Sequence, residues 1–222
     1  MWAAFELVYP HVCLACERLI HSSAQMLCFG CEAEIRARHD DMGGVHPAEK
    51  LFWGRCAIEA ATSLATFTKG GISQRLLHQL KYQGMRDLGV YLGQLLGEKI
   101  RLTGRFTGVE AVVPVPLARD KLKKRGYNQA ECVARGVARE LQVPVITQYL
   151  VKQRATASQT KKGRWERMLN SERVFAIKPN LTPPERHLLV IDDVITTGAT
   201  LTACVNALSH AHKVSVASVA YQ

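Results

Sequence analysis

Apolar residues along this chain switch repeatedly between two periods. The run 73–82 carries Leu76, Leu77 and Leu80, and the run 88–100 carries Leu92, Leu95 and Leu96. Both have the three-and-four spacing of a helix with one buried face. The run 128–141 repeats it with Val133, Val137 and Leu141, and the run 198–211 with Leu201, Val205 and Leu208. Asp87 stands where a helix N-cap belongs. Between these lie short apolar or β-branched runs that read as strands: 62–68, 110–115, 173–177, 187–191 and 213–220. Strands alternating with helices imply right-handed crossovers and a mainly parallel sheet covered on both faces, an α/β fold. Ligands of such sheets sit at the carboxyl ends of the strands.

The first 35 residues break this pattern, holding paired cysteines and few regular apolar positions. Residues 36–50 (RARHDDMGGVHPAEK) are polar and read as a linker, and 51–55 (LFWGR) as a buried entry into a second unit. The expected organisation is a small module with its linker over 1–50 and a larger domain over 51–222. An apolar fraction of 47% with 22% charged residues excludes a disordered or collagen-like chain. No apolar run approaches the about 20 residues that span a bilayer. The N-terminus (MWAAFELVYPHVC) lacks the basic start and long apolar stretch of a signal peptide, so a cytoplasmic location is expected. Lys and Arg total 29 against 19 Asp and Glu, a formal charge of +10. That excess favours anionic partners without choosing among phosphorylated metabolites, nucleic acid and acidic proteins.

Four of the seven cysteines form two C-x-x-C units, Cys13/Cys16 and Cys28/Cys31. Each unit aims two thiolates at one point, and two units complete the tetrahedron that zinc prefers. Four thiolates leave no open position for substrate, so the zinc is expected to be structural. The alternative is a set of redox or merely buried thiols. Cys132 and Cys204 fall in helical runs and read as core.

The most informative run is LLVIDDVITTGATL, residues 188–201. An apolar strand delivers two adjacent carboxylates, Asp192 and Asp193, and a turn of Thr196, Thr197, Gly198, Ala199 and Thr200 leads into a helix. Small residues and a helix N-terminus present backbone N–H groups to an anion, and the Thr hydroxyls add donors. Carboxylates beside a phosphate cradle suit a ligand with hydroxyls or magnesium next to its phosphate, such as a sugar phosphate. The plainer alternative is a capped strand–turn–helix with solvated aspartates.

Two basic segments complete the inventory. Pro114, Val115 and Pro116 leave a strand and enter ARDKLKKRGYNQA, which includes Lys124 and Arg125 and reads as a loop suited to pyrophosphate. Residues 152–170 (KQRATASQTKKGRWERMLN) are long and polar, with Arg154, Lys161, Lys162, Arg164 and Arg167 able to close over a ligand. Both also fit a positive surface for nucleic acid, with Tyr127 and Trp165 as stacking groups.

The run around Asp192 and Asp193 resembles the phosphoribosyl pyrophosphate (PRPP) signature of type I phosphoribosyltransferases. The order of a four-cysteine start, LLHQLKYQG, PVPL, KKRGYNQA, RATASQT and VIDDVITTGAT resembles the ComF family nearly end to end. The resemblance implies a type I phosphoribosyltransferase fold preceded by a small four-cysteine zinc-binding module. It assigns Asp192 and Asp193 to the ribose hydroxyls, 196–200 to the 5′-phosphate and 114–129 to the pyrophosphate. It makes 154–167, with Arg154 and Arg164, the mobile loop over the site. It further implies PRPP with magnesium as ligand and a link to DNA uptake in competence, with single-stranded DNA and a competence helicase as partners. Transferase activity with an unnamed acceptor is the leading expectation. A single-stranded DNA-binding accessory factor and a PRPP sensor without transferase activity are the alternatives, and a homo-oligomer is left open. Between the two cysteine pairs and the first helical run only Cys56 occurs, so no second metal site is expected, and no base-recognising hood is expected after the run 213–220.

Overall fold

The computed structural model describes residues 11–20, 22, 25–36, 44–153, 174–179 and 186–222. In chain order its elements are α1 (Phe29–Arg36), a 3-10 turn (Pro47–Leu51), β1 (Ala61–Thr66), α2 (Ile72–Tyr82), α3 (Arg86–Thr103), β2 (Ala111–Pro114), α4 (Arg119–Arg125), α5 (Gln129–Leu141), β3 (Leu150–Lys152), β4 (Phe175–Ile177), β5 (His187–Ile195), α6 (Ala199–Leu208) and β6 (Lys213–Tyr221). Four strands make a parallel sheet in the order β1-β6-β5-β2. The β3–β4 pair is a separate antiparallel ribbon.

β5 lies between β6 and β2, with Ile191 opposite both Ala217 and Pro114. Successive residues of β5 point to opposite faces, so Leu189 and Ile191 enter one apolar cluster while Leu188 and Val190 enter the other. A strand buried on both faces reads as a continuous apolar run, which is why LLVI carries no alternation. One face is covered by α2, α3 and α5 together with Cys13, Ala15, Leu27, Cys31 and Ile35 of the cysteine segment. The other is covered by α6, the β3–β4 ribbon and the turn that buries Ala48 and Phe52. Helices α3 and α5 cross with almost no side chain between them. A Cβ on Gly93 would stand 2.1 Å from the Val133 carbonyl oxygen, and one on Gly136 would stand 2.1 Å from that of Val90. Among the described residues, no helix is long and apolar enough to cross a membrane.

The connections explain where a ligand can sit. After β2 the chain passes through α4 and α5 to Val145, which bridges in parallel to Val112 on the outer side of β2. After β5 it passes through α6 to β6 on the opposite side. The two crossovers diverge, and a crevice opens between the carboxyl ends of β2 and β5.

Several local readings change. Residues 119–125, read as a loop, form helix α4, closed by Gly126 at φ 75°. Its side chains are exposed and mostly cationic, so no apolar stripe announced it. The run 173–177 contributes β4 to the ribbon, not a strand to the main sheet. The polar stretch before residue 51 contains a buried patch, His46, Ala48 and Glu49, whose polar groups bond to the Ala48 N–H, Ser63 and the Ala61 N–H. Within 51–55 only Phe52 is buried, and Trp53 is largely exposed. The N-cap of α3 is Met85, with Asp87 inside the first turn. β5 continues to Ile195 because β6 keeps pairing with it, Ile195 to Tyr221.

Candidate functional site: an acidic–basic crevice and a four-thiol cluster

Asp192 and Asp193 sit near the carboxyl end of β5, where the sheet stops and the crevice begins. The chain then turns through Thr196, Thr197 and Gly198, which adopts φ 70° and caps α6. Side chains rarely adopt that conformation, so glycine is the residue that lets the turn tighten here. A small recess is lined by Asp192 and by 194–201, including Thr196, Thr197, Gly198, Ala199 and Thr200. Ala199 and Thr200 are the first residues of the helix, where unpaired N–H groups and the positive dipole end favour an anion. The Arg55 guanidinium donates to the Thr197 carbonyl at 2.7 Å and to the Leu51 carbonyl at 3.0 Å, tying the turn to the segment that precedes β1.

A second cavity, of about 190 Å³, adjoins the first through Asp192 and Thr200. Its lining combines Asp192 and Asp193 with Val115, Pro116, Lys81, Lys121, Arg125 and Lys152. α4 presents Lys121 and Arg125 to it, four residues apart and so on one helix face. Arg119 and Lys123 of α4 line a larger adjoining recess of about 930 Å³, with Lys152 and Lys178. Pro114 ends β2 beneath this opening, and Lys124 lines neither cavity. Arg154, Arg164, Arg167 and Trp165 lie outside the described residues. Tyr127 is no stacking platform: it is 7% exposed, and its hydroxyl donates to the Leu80 carbonyl.

Lys81 is the site residue that the pattern left unassigned, while Lys121 and Lys152 fell within the two basic segments without being singled out. Lys81 closes α2 and reaches Asp193, with Nζ 3.1 Å from Oδ2. Its one sequence signal was a cation off the apolar face of LLHQLKYQG. The two carboxylates differ in environment. Burial pushes Asp192 up from 3.8 to about 7, and the charge of Asp193 adds to this. The Asp193 backbone N–H, which donates to Asp192 Oδ1 at 2.8 Å, and the ammonium groups of Lys81 and Lys152 pull the other way. The crevice thus holds one readily protonated carboxyl, one paired carboxylate and an excess of cations, an arrangement suited to a polyanion that also carries hydroxyls or a metal ion.

The cysteine pairs meet at one point. Cys13 and Cys16 bracket a tight turn in which the Glu17 N–H donates to the Cys13 carbonyl and the Cys13 N–H to the Arg18 carbonyl. Cys28 and Cys31 sit at the start of α1, whose dipole favours thiolate. The Leu14 N–H donates to the Met26 carbonyl and joins the two pairs. All four Sγ atoms lie within 4.8 Å of one another, with Cys16 and Cys28 3.6 Å apart. A tetrahedral ion with zinc–sulfur bonds of about 2.3 Å needs sulfurs about 3.8 Å apart. The donor set therefore fits zinc. Burial raises the Cys13 thiol, but hydrogen bonds from the backbone of Cys28, Cys16 and Ala15 outweigh it and hold it near 6. Burial, then the neighbouring thiols, push Cys31 up. The module is fastened to the domain: the Arg75 guanidinium donates to the Ala15 carbonyl at 2.7 Å, the Gln79 amide to the Leu14 carbonyl at 2.6 Å, and Tyr91 to Glu32 at 2.6 Å.

The parallel sheet, its crevice and the cysteine cluster define a class, an α/β fold carrying a four-thiol, zinc-type module. No protein-family model matches the chain. It is similar to DNA utilization protein YhgH of Salmonella typhimurium, 27% identical over 208 residues that cover 88% of this chain and 89% of that one. Competence protein F of Haemophilus influenzae is 26% identical over 200 residues, 85% of this chain and 86% of its own. Competence protein ComFC of Bacillus subtilis is 38% identical over 90 residues, 40% and 34%. A solved structure of orotate phosphoribosyltransferase from Aeropyrum pernix superposes at TM-score 0.36 with 16% identity, covering 78% of this chain and 92% of its own. That superposition is loose, and the fold assignment rests on strand order and connections. Along most of its length the chain is thus similar to proteins named for DNA utilization and competence.

Two outcomes are expected. Cys31→Ser should abolish stoichiometric metal binding, read by elemental analysis. It should cost about 2 kcal/mol or more of stability, a fall of about 4–8 °C in Tm for a chain of this size. An unchanged melt together with unchanged metal content would remove the cluster as a metal site. For Asp192, the folded pKa lies above the ordinary value, so ionisation opposes folding as pH rises from about 4 through about 7. Asp192→Asn should match the wild type in denaturant unfolding near pH 4 and exceed it by pH 8. Equal stability at both pH values would contradict the buried-carboxyl account.

Proposed function

We propose that this protein binds PRPP as its magnesium complex in the crevice between β5 and β2, and transfers the phosphoribosyl group in the handling of incoming DNA. The observation that carries the reading is the convergence of the acidic pair, the anion-binding turn and the cations Lys81, Lys121, Arg125 and Lys152 on one opening. The turn 196–200 holds the 5′-phosphate, and Asp192 and Asp193 hold the ribose hydroxyls. Val115, Pro116 and Arg125, with Lys121, face the pyrophosphate. Lys124 of the same helix and Pro114 beneath the loop complete that segment, and Arg154 and Arg164 are assigned to the covering loop. Asp192 and Asp193 would also hold magnesium, which would supply positive charge against the pyrophosphate. As the bond to the anomeric carbon breaks, the sugar gains positive charge and the leaving group negative charge. The carboxylates favour the first and the basic residues the second, and fixed charges of this kind are commonly the largest contribution to catalysis. The four-thiol module, over residues 1–50 with its linker, holds structural zinc and braces α2 and α3 of the domain that follows. The names of the relatives, DNA utilization protein and competence protein, support a place in DNA uptake.

Calorimetry of PRPP with magnesium into metal-loaded protein is expected to give saturable binding at one site. Asp193→Asn is expected to weaken it at least tenfold. Unchanged affinity in that variant would remove the assignment of the acidic pair.

A second reading has support of its own. The recess lined by Arg119, Lys123, Lys152 and Lys178, set against the single acid Asp120, and the formal charge of +10 favour single-stranded DNA as a ligand. Neutralised phosphates make such binding fall steeply with salt. A gel-shift series on an oligonucleotide is expected to show at least tenfold weaker binding between 50 and 200 mM salt, on the order of the loss known for several phosphate contacts. Salt-insensitive binding, or none, would exclude it.

A further inference from the structure

We infer that Lys81 is the built-in counterion of the acidic pair. Its ammonium pairs with Asp193 at the place that a divalent cation or a ligand hydroxyl would take, and on binding it moves to the ligand's anionic group. The inference rests on the reading above that the crevice receives a phosphorylated sugar with a divalent metal.

The geometry gives Lys81 this position. Its Nζ lies 3.1 Å from Asp193 Oδ2, and the two side chains are only 24% and 17% exposed. Asp192 stands beside that pair, so two carboxylates share one partly buried corner. Adjacent buried carboxylates repel each other and need a cation nearby. Before any ligand arrives, the chain supplies one from the last turn of α2. Lysine suits the task better than arginine, because its ammonium is a point charge on a flexible stem and can exchange partners without losing a bidentate geometry. The new partner has a place to arrive, since Lys81, Lys121, Arg125 and Lys152 line the same cavity of about 190 Å³.

Two consequences follow. A bare divalent cation must displace an ammonium tethered at high effective concentration, so it binds poorly alone. A ligand that brings phosphates offers the displaced ammonium a new partner, so metal and phosphorylated ligand each improve the binding of the other. Lys81 thereby selects the metal complex of the ligand over either part alone. α2 also carries Arg75 and Gln79, which bond to the cysteine module, so its last turn projects from a fixed element.

The test is Lys81→Met, which keeps most of the stem and removes the charge, with Lys81→Arg as the charge-retaining control. Manganese alone, followed by its paramagnetic resonance signal, is expected to bind Lys81→Met at least fivefold more tightly than wild type. Lys81→Arg should stay as weak as wild type. Affinity for PRPP with magnesium is expected to move the opposite way, at least fivefold weaker in Lys81→Met. Manganese affinity unchanged or reduced in a folded Lys81→Met would overturn the inference, as would parallel losses for both ligands. If Lys81→Met does not fold, Lys81→Gln takes its place under the same criteria. Should PRPP bind neither wild type nor variant, the proposed function falls, and the manganese arm still decides the role of Lys81.

Discussion

The parallel pairing of β5 with a neighbour on each side is the constraint on which the rest of this structure depends. Pairing with β2 and β6 places β5 inside the sheet, and the helices and ribbon over its two faces make its first residues apolar without interruption. The same pairing sends the crossovers after β2 and β5 in opposite directions, so the sheet is open to solvent and ligand between their carboxyl ends. Asp192 and Asp193 fall there because the strand emerges there. Two parts of the crevice arrive along those exits, the turn into α6 from β5 and the basic helix α4 from β2, while Lys81 comes from α2 and Lys152 from β3.

The cysteine module is part of this architecture and more than an addition at one end. Cys13, Ala15, Leu27, Cys31 and Ile35 share an apolar cluster with Leu76, Leu80, Leu92 and the sheet residues Leu189 and Ile191. The layer that covers one face of β5 is completed by a segment with little apolar surface of its own, held in shape by four converging sulfurs. α2 spans the distance between the two centres. Near its start Arg75 bonds to the module, and at its end Lys81 reaches the acidic pair. One helix thus contacts both centres.

The charge of the chain acquires a meaning once it is localised. A formal +10 spread over a surface would favour anions in general. Placed as Lys81, Lys121, Arg125 and Lys152 around two carboxylates, it gives one opening an excess of positive charge that suits an anion. The raised pKa of Asp192 comes first from burial and then from the charge of Asp193, whose own carboxylate is paired with Lys81.

Much of this was legible in the sequence because it is local. The helices over 73–82, 88–100 and 128–141 follow from apolar spacing, the cysteine cluster from two C-x-x-C units, and the acidic pair before a Thr/Gly turn from residue order alone. Each depends on neighbours within a few positions, and residue spacing records such relations directly. Other features were not legible. Helix α4 has no apolar face to betray it, and Tyr127 looked available for stacking until packing buried it against Leu80. Lys81 lies more than a hundred residues from Asp193, and Gly93 faces Gly136 only because two helices cross there. These depend on which distant segments meet. That is decided by sheet order and helix crossing, where burial and close contact between remote parts of the chain determine which arrangement is stable.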